Sequence, residues 1–480
     1  MPSTVRQQLI LIGLTAVVLF TNLGGPRLWD RDEPRNAGCA AEMLQRGDWV
    51  VPVFNNELRT HKPVLLYWLM MSAYEVFGVN EFAARFWSAM LGIATVLMTY
   101  HLGRRLFNER AGFWAGLSLA PALMFGVASR AATPDAVLVF CSTLALFLYG
   151  MFAFRAGGVA NRYFPTVWWQ AALIYAAMGL AILAKGPVGL VLPTAVIGMF
   201  LLIMRQPTST LVTGDWFGSV RSGLGVFGPL HFLRTCWAMR PLTALAVSLA
   251  IALPWYLWVH ARTEGAWTVG FFFEHNLGRA TQAMEGHRGN LLFYPAALAI
   301  GFFPWSVFFL PMLLDAIDQL RRRVVVTPGY LFAACWVGVY LVLFSLAKTK
   351  LPSYITPCYP GVALLMGAFA SNVITQQSRV ALVWIRVSLA TAVIVGVALL
   401  VGLPQVSARF LPGEEWLGVL GIAPLLAGLL GWYFTARQMF QRAMLTYGAS
   451  AIAFSTFGLA LVTQRVDEHQ RNDELLAAIF

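Results

Sequence analysis

The sequence predicts an all-α, polytopic integral membrane protein, on three observations: its composition, a train of apolar runs, and the lack of strand-like alternation. Of its 480 residues, 58% are hydrophobic and only 12% charged, against roughly 25% charged in soluble globular proteins. A chain so poor in polar surface needs a bilayer as its solvent. About 20 mostly apolar residues cross the hydrocarbon as a helix. Roughly 13 runs meet that measure, near 7–24, 83–103, 112–129, 134–154, 167–184, 187–204, 242–260, 291–314, 329–347, 354–372, 381–402, 415–435 and 443–463. None shows the alternation of a membrane barrel, which leaves helices as the spanning structure.

The formal net charge of +12 does not mark a nucleic-acid binder, because the basic residues lie mostly in short links between apolar runs. Arg104, Arg105 and Arg110, then Arg155 and Arg162, then Arg321 to Arg323, then Arg379, then Arg437 and Arg442 fall in alternate links. Cytoplasmic loops carry such an excess, so the N-terminus is expected inside. The first run follows Arg6, but Thr21 to Pro26 offers no small-residue cleavage site, so it reads as a span and not as a removed signal. Cys39, Cys141, Cys236, Cys335 and Cys358 show no CxxC spacing and suit packing better than disulfides or zinc. The chain divides into a membrane domain over 1–375, with outer loops 25–80 and 261–290, and further spans over 376–480 with no sizeable soluble domain. Between Gln206 and Arg240, Trp216, Phe227, Phe232 and Trp237 among arginines form an amphipathic stretch on the inner membrane surface.

The first outer loop holds two helix-like stretches, Asn36 to Arg46 and Val64 to Phe77. At about 14 residues the second is too short to span and is expected in the interface. Lysine is the most informative residue. Lys62, Lys185, Lys348 and Lys350 are the only four in the chain, and all map to the outer face. Topology anchors belong inside, so a compact outer cation implies an anionic substrate. The loop opens on Trp29-Asp30-Arg31-Asp32-Glu33-Pro34-Arg35. Asp32 or Glu33 ahead of Pro34 also fits a helix cap followed by an N1 proline. Lys62, at the start of the interfacial helix, opposes that helix's dipole and calls for another purpose.

Asp135 opens the fourth span and Arg130 closes the third. They form either a structural pair or a site, since an ionisable group at that depth is costly unless paired or wet. Lys185 sits in a sharp turn between spans, where it either snorkels or serves the site. The second outer loop gathers Glu274, His275, Arg279, Glu285, His287 and Arg288, a mixture suited to polar groups beside lipid or to an ordinary solvated loop. Glu274 and His275 could be half of a metal site but lack HExxH-type spacing. Finally, Ala347-Lys348-Thr349-Lys350-Leu351-Pro352-Ser353-Tyr354 makes a phosphate-friendly edge or a snorkelling boundary.

These motifs resemble those of polyprenyl-phosphate-dependent glycosyltransferases, the family typified by the lipid A aminoarabinose transferase and distantly related to protein O-mannosyltransferases. Carrying the resemblance are the Trp29 to Arg35 motif, Glu42-Met43-Leu44, Gly47-Asp48-Trp49-Val50-Val51-Pro52, Lys62-Pro63 with Tyr67-Trp68, and Asp135. Further on come Ala184-Lys185-Gly186, Glu274-His275 with Arg279, His287-Arg288, Pro304-Trp305, and Ala347 to Tyr354. The resemblance implies a GT-C fold with thirteen spans in the bacterial inner membrane, a sugar donor on undecaprenyl phosphate, and a site facing the periplasm. It makes Asp32 the catalytic acidic residue and sets Arg35, Lys62, Arg279, Lys348 and Tyr354 around the donor phosphate. His61 stands where the family has Glu, and the chain ends at Phe480, soon after its last span.

Breaking an anomeric carbon–phosphate linkage leaves negative charge on the lipid phosphate, which Lys62, Arg279, Lys348 and Lys350 are expected to meet. Asp32 would accept a proton from an acceptor hydroxyl, with Glu33 or Asp135 as helper. Lys185, Glu274, His275 and Tyr354 complete the expected substrate-binding set. Single displacement would invert the anomeric centre, and no nucleophile arrangement demands a covalent intermediate. No cofactor is required by this chemistry, although it leaves room for a divalent metal. The acceptor is expected to be a lipid, glycan or protein, through a hydroxyl or, as on lipid A, through a phosphate, for which no strong base is required and Asp32 would mainly orient groups and balance charge. A transporter is the rival class, but transporters hold charges near the midplane and often show repeats, whereas these charges gather at one boundary.

Overall fold

The computed structural model describes residues 3–29, 32–157, 163–205, 227–277, 290–322, 326–347 and 349–469, with backbone alone over 274–277. In order, its α-helices are α1 (Ser3–Phe20), α2 (Asp32–Gln45), α3 (Leu65–Phe77), α4 (Glu81–Leu106), α5 (Glu109–Leu119), α6 (Leu123–Arg130) and α7 (Pro134–Ala153). Then come α8 (Trp168–Lys185), α9 (Val188–Met204), α10 (Pro229–Ala238), α11 (Pro241–Arg262), α12 (Ala266–Val269), α13 (Phe293–Gly301) and α14 (Phe309–Arg322). The last are α15 (Thr327–Leu346), α16 (Tyr359–Ile374), α17 (Leu382–Phe410), α18 (Ile422–Ala436), α19 (Phe440–Phe457) and α20 (Thr463–His469). The fold is all-helical apart from a two-residue hairpin, β1 (Val53–Phe54) against β2 (Glu57–Leu58).

Among the described residues, ten helices are long and apolar enough to cross a membrane, and two further pairs qualify as bent spans. With the 17-residue apolar helix α9, every run expected to cross has a helix or helix pair at its position. Two of those runs are not continuous. The run expected over 112–129 is α5 and α6, bent by 66° at Pro121, and the run over 291–314 is α13 and the stretch from Trp305 to Arg322, bent by 118° at Pro304. A proline inside a helix lacks the N–H that would continue the ladder, and in lipid the freed groups must find partners inside the protein. Here the two breaks serve each other: Leu123 N–H donates to Phe303 O at 3.2 Å. The carbonyls of Pro121 and Pro304 accept from Ser455 and Tyr447 of α19.

The span Pro352–Ile374 is 94% buried and forms the axis of the bundle, with α5 along one side. The first and last spans close the molecule where Asn22 donates to Ala460 O at 2.9 Å. Close approach matters most between α4 and α5. A Cβ on Gly112 would fall 2.5 Å from Tyr100 O, so only glycine fits there.

One face carries the first loop, which is a built unit and not a loose linker. Its helices α2 and α3 lie where helix-like stretches are expected. Between them the hairpin turns on Asn55 and Asn56, both left-handed (φ 53° and 62°), as a tight hairpin of primed type requires. Three indoles fasten this unit to backbone carbonyls: Trp68 to Trp49 O at 2.7 Å, Trp255 to Val50 O at 3.0 Å and Trp267 to Arg59 O at 2.9 Å. Its exit is pinned by Asp48, which accepts from Arg262 at 2.8 Å.

Arg130 does not pair with Asp135. Its guanidinium instead covers the end of α1, donating to Val18 O, Leu19 O, Thr21 O and Asn22 O at 3.1, 2.9, 2.9 and 3.3 Å. The last carbonyls of a helix lack intrahelical partners and carry the negative end of its dipole, so a buried cation there satisfies both needs. Replacing it with an isosteric apolar side chain, Arg130→Met, strands these acceptors. The expected loss is about 1–3 kcal/mol, read as a lower thermal midpoint in a detergent-solubilised unfolding assay.

Candidate active site

The site is built where α2 begins. Glu33 and Asp32 stand next to each other but meet different environments. Glu33 is 3% exposed and takes both ends of the Arg85 guanidinium, Nε to Oε1 at 3.0 Å and Nη2 to Oε2 at 2.8 Å. It also accepts from Trp29 N–H at 3.0 Å and Ala132 N–H at 2.6 Å. Arg85 spends its remaining donors on the carbonyls of Leu23, Pro26 and Arg27. Glu33, expected as a helper to Asp32, is thus engaged by Arg85, Trp29 and Ala132, and it borders a small hollow of about 70 Å³ together with Trp29, Arg85 and Arg130. A buried pair satisfied so completely meets the cost of desolvating two charges.

Asp32 is left open. Its side chain is 48% exposed, and the buried Lys62 lies 3.9 Å away, beyond hydrogen-bond range. The segment carrying Lys62 is rigid. Arg59 donates to Asn36 Oδ1 at 2.9 Å and Tyr67 OH at 3.1 Å, while Asn36 donates to Ala132 O at 3.1 Å. A Cβ on Gly270 would lie 2.9 Å from Thr60, so glycine lets the second loop close onto the residues just before Lys62. From Gly270 to Leu277 the backbone is a π-helix, a rare form that is frequent at functional sites. Inside the unit, burial pushes the Cys39 thiol up to about 12 and raises the Tyr67 phenol well above its ordinary range.

The contact between Glu33 and Ala132 sets the turn that leads into α7, three residues before Asp135. Asp135 pairs with Lys185 at the end of α8, and the Lys185 ammonium lies 5.0 Å from the centre of the Tyr354 ring. Asp135, Lys185 and Tyr354 thus form one polar cluster although they are far apart in sequence. Lys350 does not join it. Its ammonium donates to Ser345 O at 2.8 Å and lies 5.4 Å from the Tyr294 ring centre, capping α15. Arg35 is exposed on α2. Lys348, Arg279, Glu285, His287 and Arg288, and the side chains of Glu274 and His275, lie outside the described residues. Among the described residues no three His, Cys, Asp or Glu side chains converge as metal ligands. Sequence reasoning overlooked Arg85, Asn36 and Trp267. An arginine inside the apolar stretch 83–103 was the one available signal.

Comparison with known proteins agrees with this architecture. The profile of the dolichyl-phosphate-mannose-protein mannosyltransferase family matches residues 61–221. The undecaprenyl phosphate-alpha-4-amino-4-deoxy-L-arabinose arabinosyl transferase of Pectobacterium atrosepticum is 30% identical over 365 residues, 76% of this chain and 59% of that protein. The chain thus spans about three fifths of that relative's length. The crystal structure of ArnT from Cupriavidus metallidurans bound to undecaprenyl phosphate superposes with a TM-score of 0.75 and 25% identity, over 95% of this chain and 77% of that one. The archaeal oligosaccharyltransferase AglB from Archaeoglobus fulgidus, in complex with an inhibitory peptide and a dolichol-phosphate, shares the fold alone, with a TM-score of 0.51 and 12% identity over 91% of this chain and 59% of that one. Fold and site together define a multi-pass membrane protein of the GT-C class. Over most of its length the chain is similar to polyprenyl-phosphate-dependent glycosyltransferases of this class.

The adjacent carboxylates should respond oppositely to substitution. Arg85→Met leaves Glu33 charged and buried, with an expected loss of about 3–5 kcal/mol, whereas Asp32→Asn should change stability by no more than about 0.5 kcal/mol. Thermal unfolding of the two variants side by side checks this. A thiol held at about 12 stays protonated at pH 8, so Cys39 should resist iodoacetamide in the folded protein and react after denaturation, as read by peptide mass spectrometry.

Proposed function

We propose that this protein transfers a sugar from undecaprenyl phosphate, or a related polyprenyl phosphate, to an acceptor at the face that carries the first loop. The observation that carries the reading is the half-exposed Asp32 beside the buried Lys62, on a helix start whose Glu33 and Asn36 hold the turn at Ala132, with Asp135 just after that turn and paired with Lys185 beside Tyr354. In the reaction, the bond from the anomeric carbon to the phosphate oxygen breaks and its electrons leave with the lipid phosphate. A bond from the acceptor oxygen to the anomeric carbon forms on the opposite face, inverting the centre. Lys62 offsets the charge gained by the phosphate, with Arg35, Arg279 and Lys348 as further cations and Glu274 and His275 as further substrate-binding groups. Where the acceptor is a hydroxyl, Asp32 takes its proton. Where the acceptor is a phosphate, no proton moves and Asp32 orients the incoming group and balances the oxocarbenium charge. Asp135, held by Lys185, contacts the sugar.

The polyprenyl-phosphate donor is supported by the relative whose name includes undecaprenyl phosphate and by the likeness to a structure with that lipid bound. For the acceptor we favour a lipid A phosphate or another cell-envelope glycan. The match of residues 61–221 to the protein mannosyltransferase profile favours a protein hydroxyl as the second reading. Arginines at the far end of α4, Arg104 and Arg105, support a cytoplasmic N-terminus, so the site faces the periplasm of a bacterial inner membrane.

Purified protein in lipid nanodiscs, given a radiolabelled undecaprenyl-phosphate sugar and extracted envelope acceptors, should release undecaprenyl phosphate. Asp32→Asn should lower kcat by about 10²–10⁴-fold with little change in KM for the donor. Lys62→Ala should lower kcat by about 10²–10³-fold. Absence of donor consumption by the unaltered protein with every acceptor tried, or full activity in both variants, would overturn the reading.

A further inference from the structure

Opposite the first-loop face, α16 passes to α17 and α18 passes to α19 through two tight turns. Between them is a cavity of about 220 Å³, lined in part by Gln376, Ser378, Gln438, Leu382 and Phe440. Four arginines are borne on these turns and on the first residues of α17 and α19: Arg379, Arg386, Arg437 and Arg442. The segments 373–386 and 432–447 contain no Asp or Glu. The buried acid nearby, Asp315 of α14, is committed to Ser378 Oγ at 2.7 Å and Asn372 Nδ2 at 2.8 Å. Among the described residues, none of the four guanidiniums lies within ion-pair range of a carboxylate. The arrangement puts positive charge on the segments that flank a hollow lined by Gln376, Ser378 and Gln438 and otherwise by apolar side chains.

The level in the membrane is also marked. Arg386 and Arg437 lie over the rings of Trp432 and Tyr433, at 5.8 and 4.7 Å from the centres. Aromatic residues collect at the headgroup level, and Val383 and Val387, both exposed on α17, continue from there as an apolar face. Two long helices, α17 and α19, also begin at this hollow without a side-chain cap. Topology alone accounts for arginines at a membrane boundary. It does not by itself account for arginines that adjoin the lining residues Ser378, Val380, Ile385 and Gln438 in sequence while, among the described residues, none lies within ion-pair range of a carboxylate.

We propose that this cavity binds the headgroup of an anionic bilayer phospholipid, with the phosphate among the arginines and the chains along α17. Basic hollows between spans suit such headgroups. The assignment is independent of the sugar-transfer reading, because it concerns the opposite face.

Full-length protein in mild detergent, incubated with phosphatidylglycerol or phosphatidylethanolamine and examined by native mass spectrometry, tests it. Retention of phosphatidylglycerol over phosphatidylethanolamine is expected. That preference should vanish in the Arg379→Gln, Arg437→Gln, Arg442→Gln variant and survive in Arg465→Gln at the other boundary. Should the triple variant fail to fold, a salt titration of the unaltered protein decides, since screening should release phosphatidylglycerol selectively. Equal retention of the two lipids, an unchanged preference in the triple variant, retention insensitive to salt, or displacement by an equal concentration of inorganic phosphate would each overturn the proposal.

Discussion

The contact between Glu33 and Arg85 is the constraint on which the site depends. Its hydrogen bonds join the turn after α1, the start of α2, the body of α4 and the turn before α7. Charges taken out of water repay their desolvation only when every donor and acceptor is used, and here the five N–H groups of the guanidinium all have partners. Because Glu33 and Asp32 are consecutive at a helix start, fixing one carboxylate aims the other. Burial separates the two neighbours: Glu33 is 3% exposed and joined to Arg85, whereas the side chain of Asp32 is 48% exposed.

The same division recurs among the cations. Arg130 and Lys350 cover the ends of α1 and α15, Arg85 serves Glu33, and Lys185 serves Asp135. Each of these charges is matched within the protein. Lys62 is buried, and its carboxylate neighbour Asp32 stands at 3.9 Å with its side chain half exposed. In a low-dielectric setting such a preorganised cation acts on developing charge more strongly than it would in water.

Much of the fold was legible in the sequence because membrane spans are a local signal. A run of 20 apolar residues announces itself, and so did α2 and α3 through the spacing of their apolar residues. The breaks at Pro121 and Pro304 were less legible, since prolines are also tolerated within transmembrane helices and partners decide the bend. The hairpin at Asn55 and Asn56 was too short to show as strand alternation. At the site, residue type located the chemistry while partnership stayed hidden. That Glu33 meets Arg85, or that Lys350 caps α15 and Arg130 caps α1, depends on contacts between segments distant in sequence. A charge destined for a helix end and a charge destined for a phosphate look alike in one dimension.

The central claim is that the open pair of Asp32 and Lys62 faces a lipid-linked phosphate. A cryo-electron microscopy structure of the protein with undecaprenyl phosphate is the most direct measurement. The account predicts the phosphate within hydrogen-bond distance of the Lys62 ammonium, on the side where Asp32 is exposed. A phosphate seated away from Lys62 would contradict it.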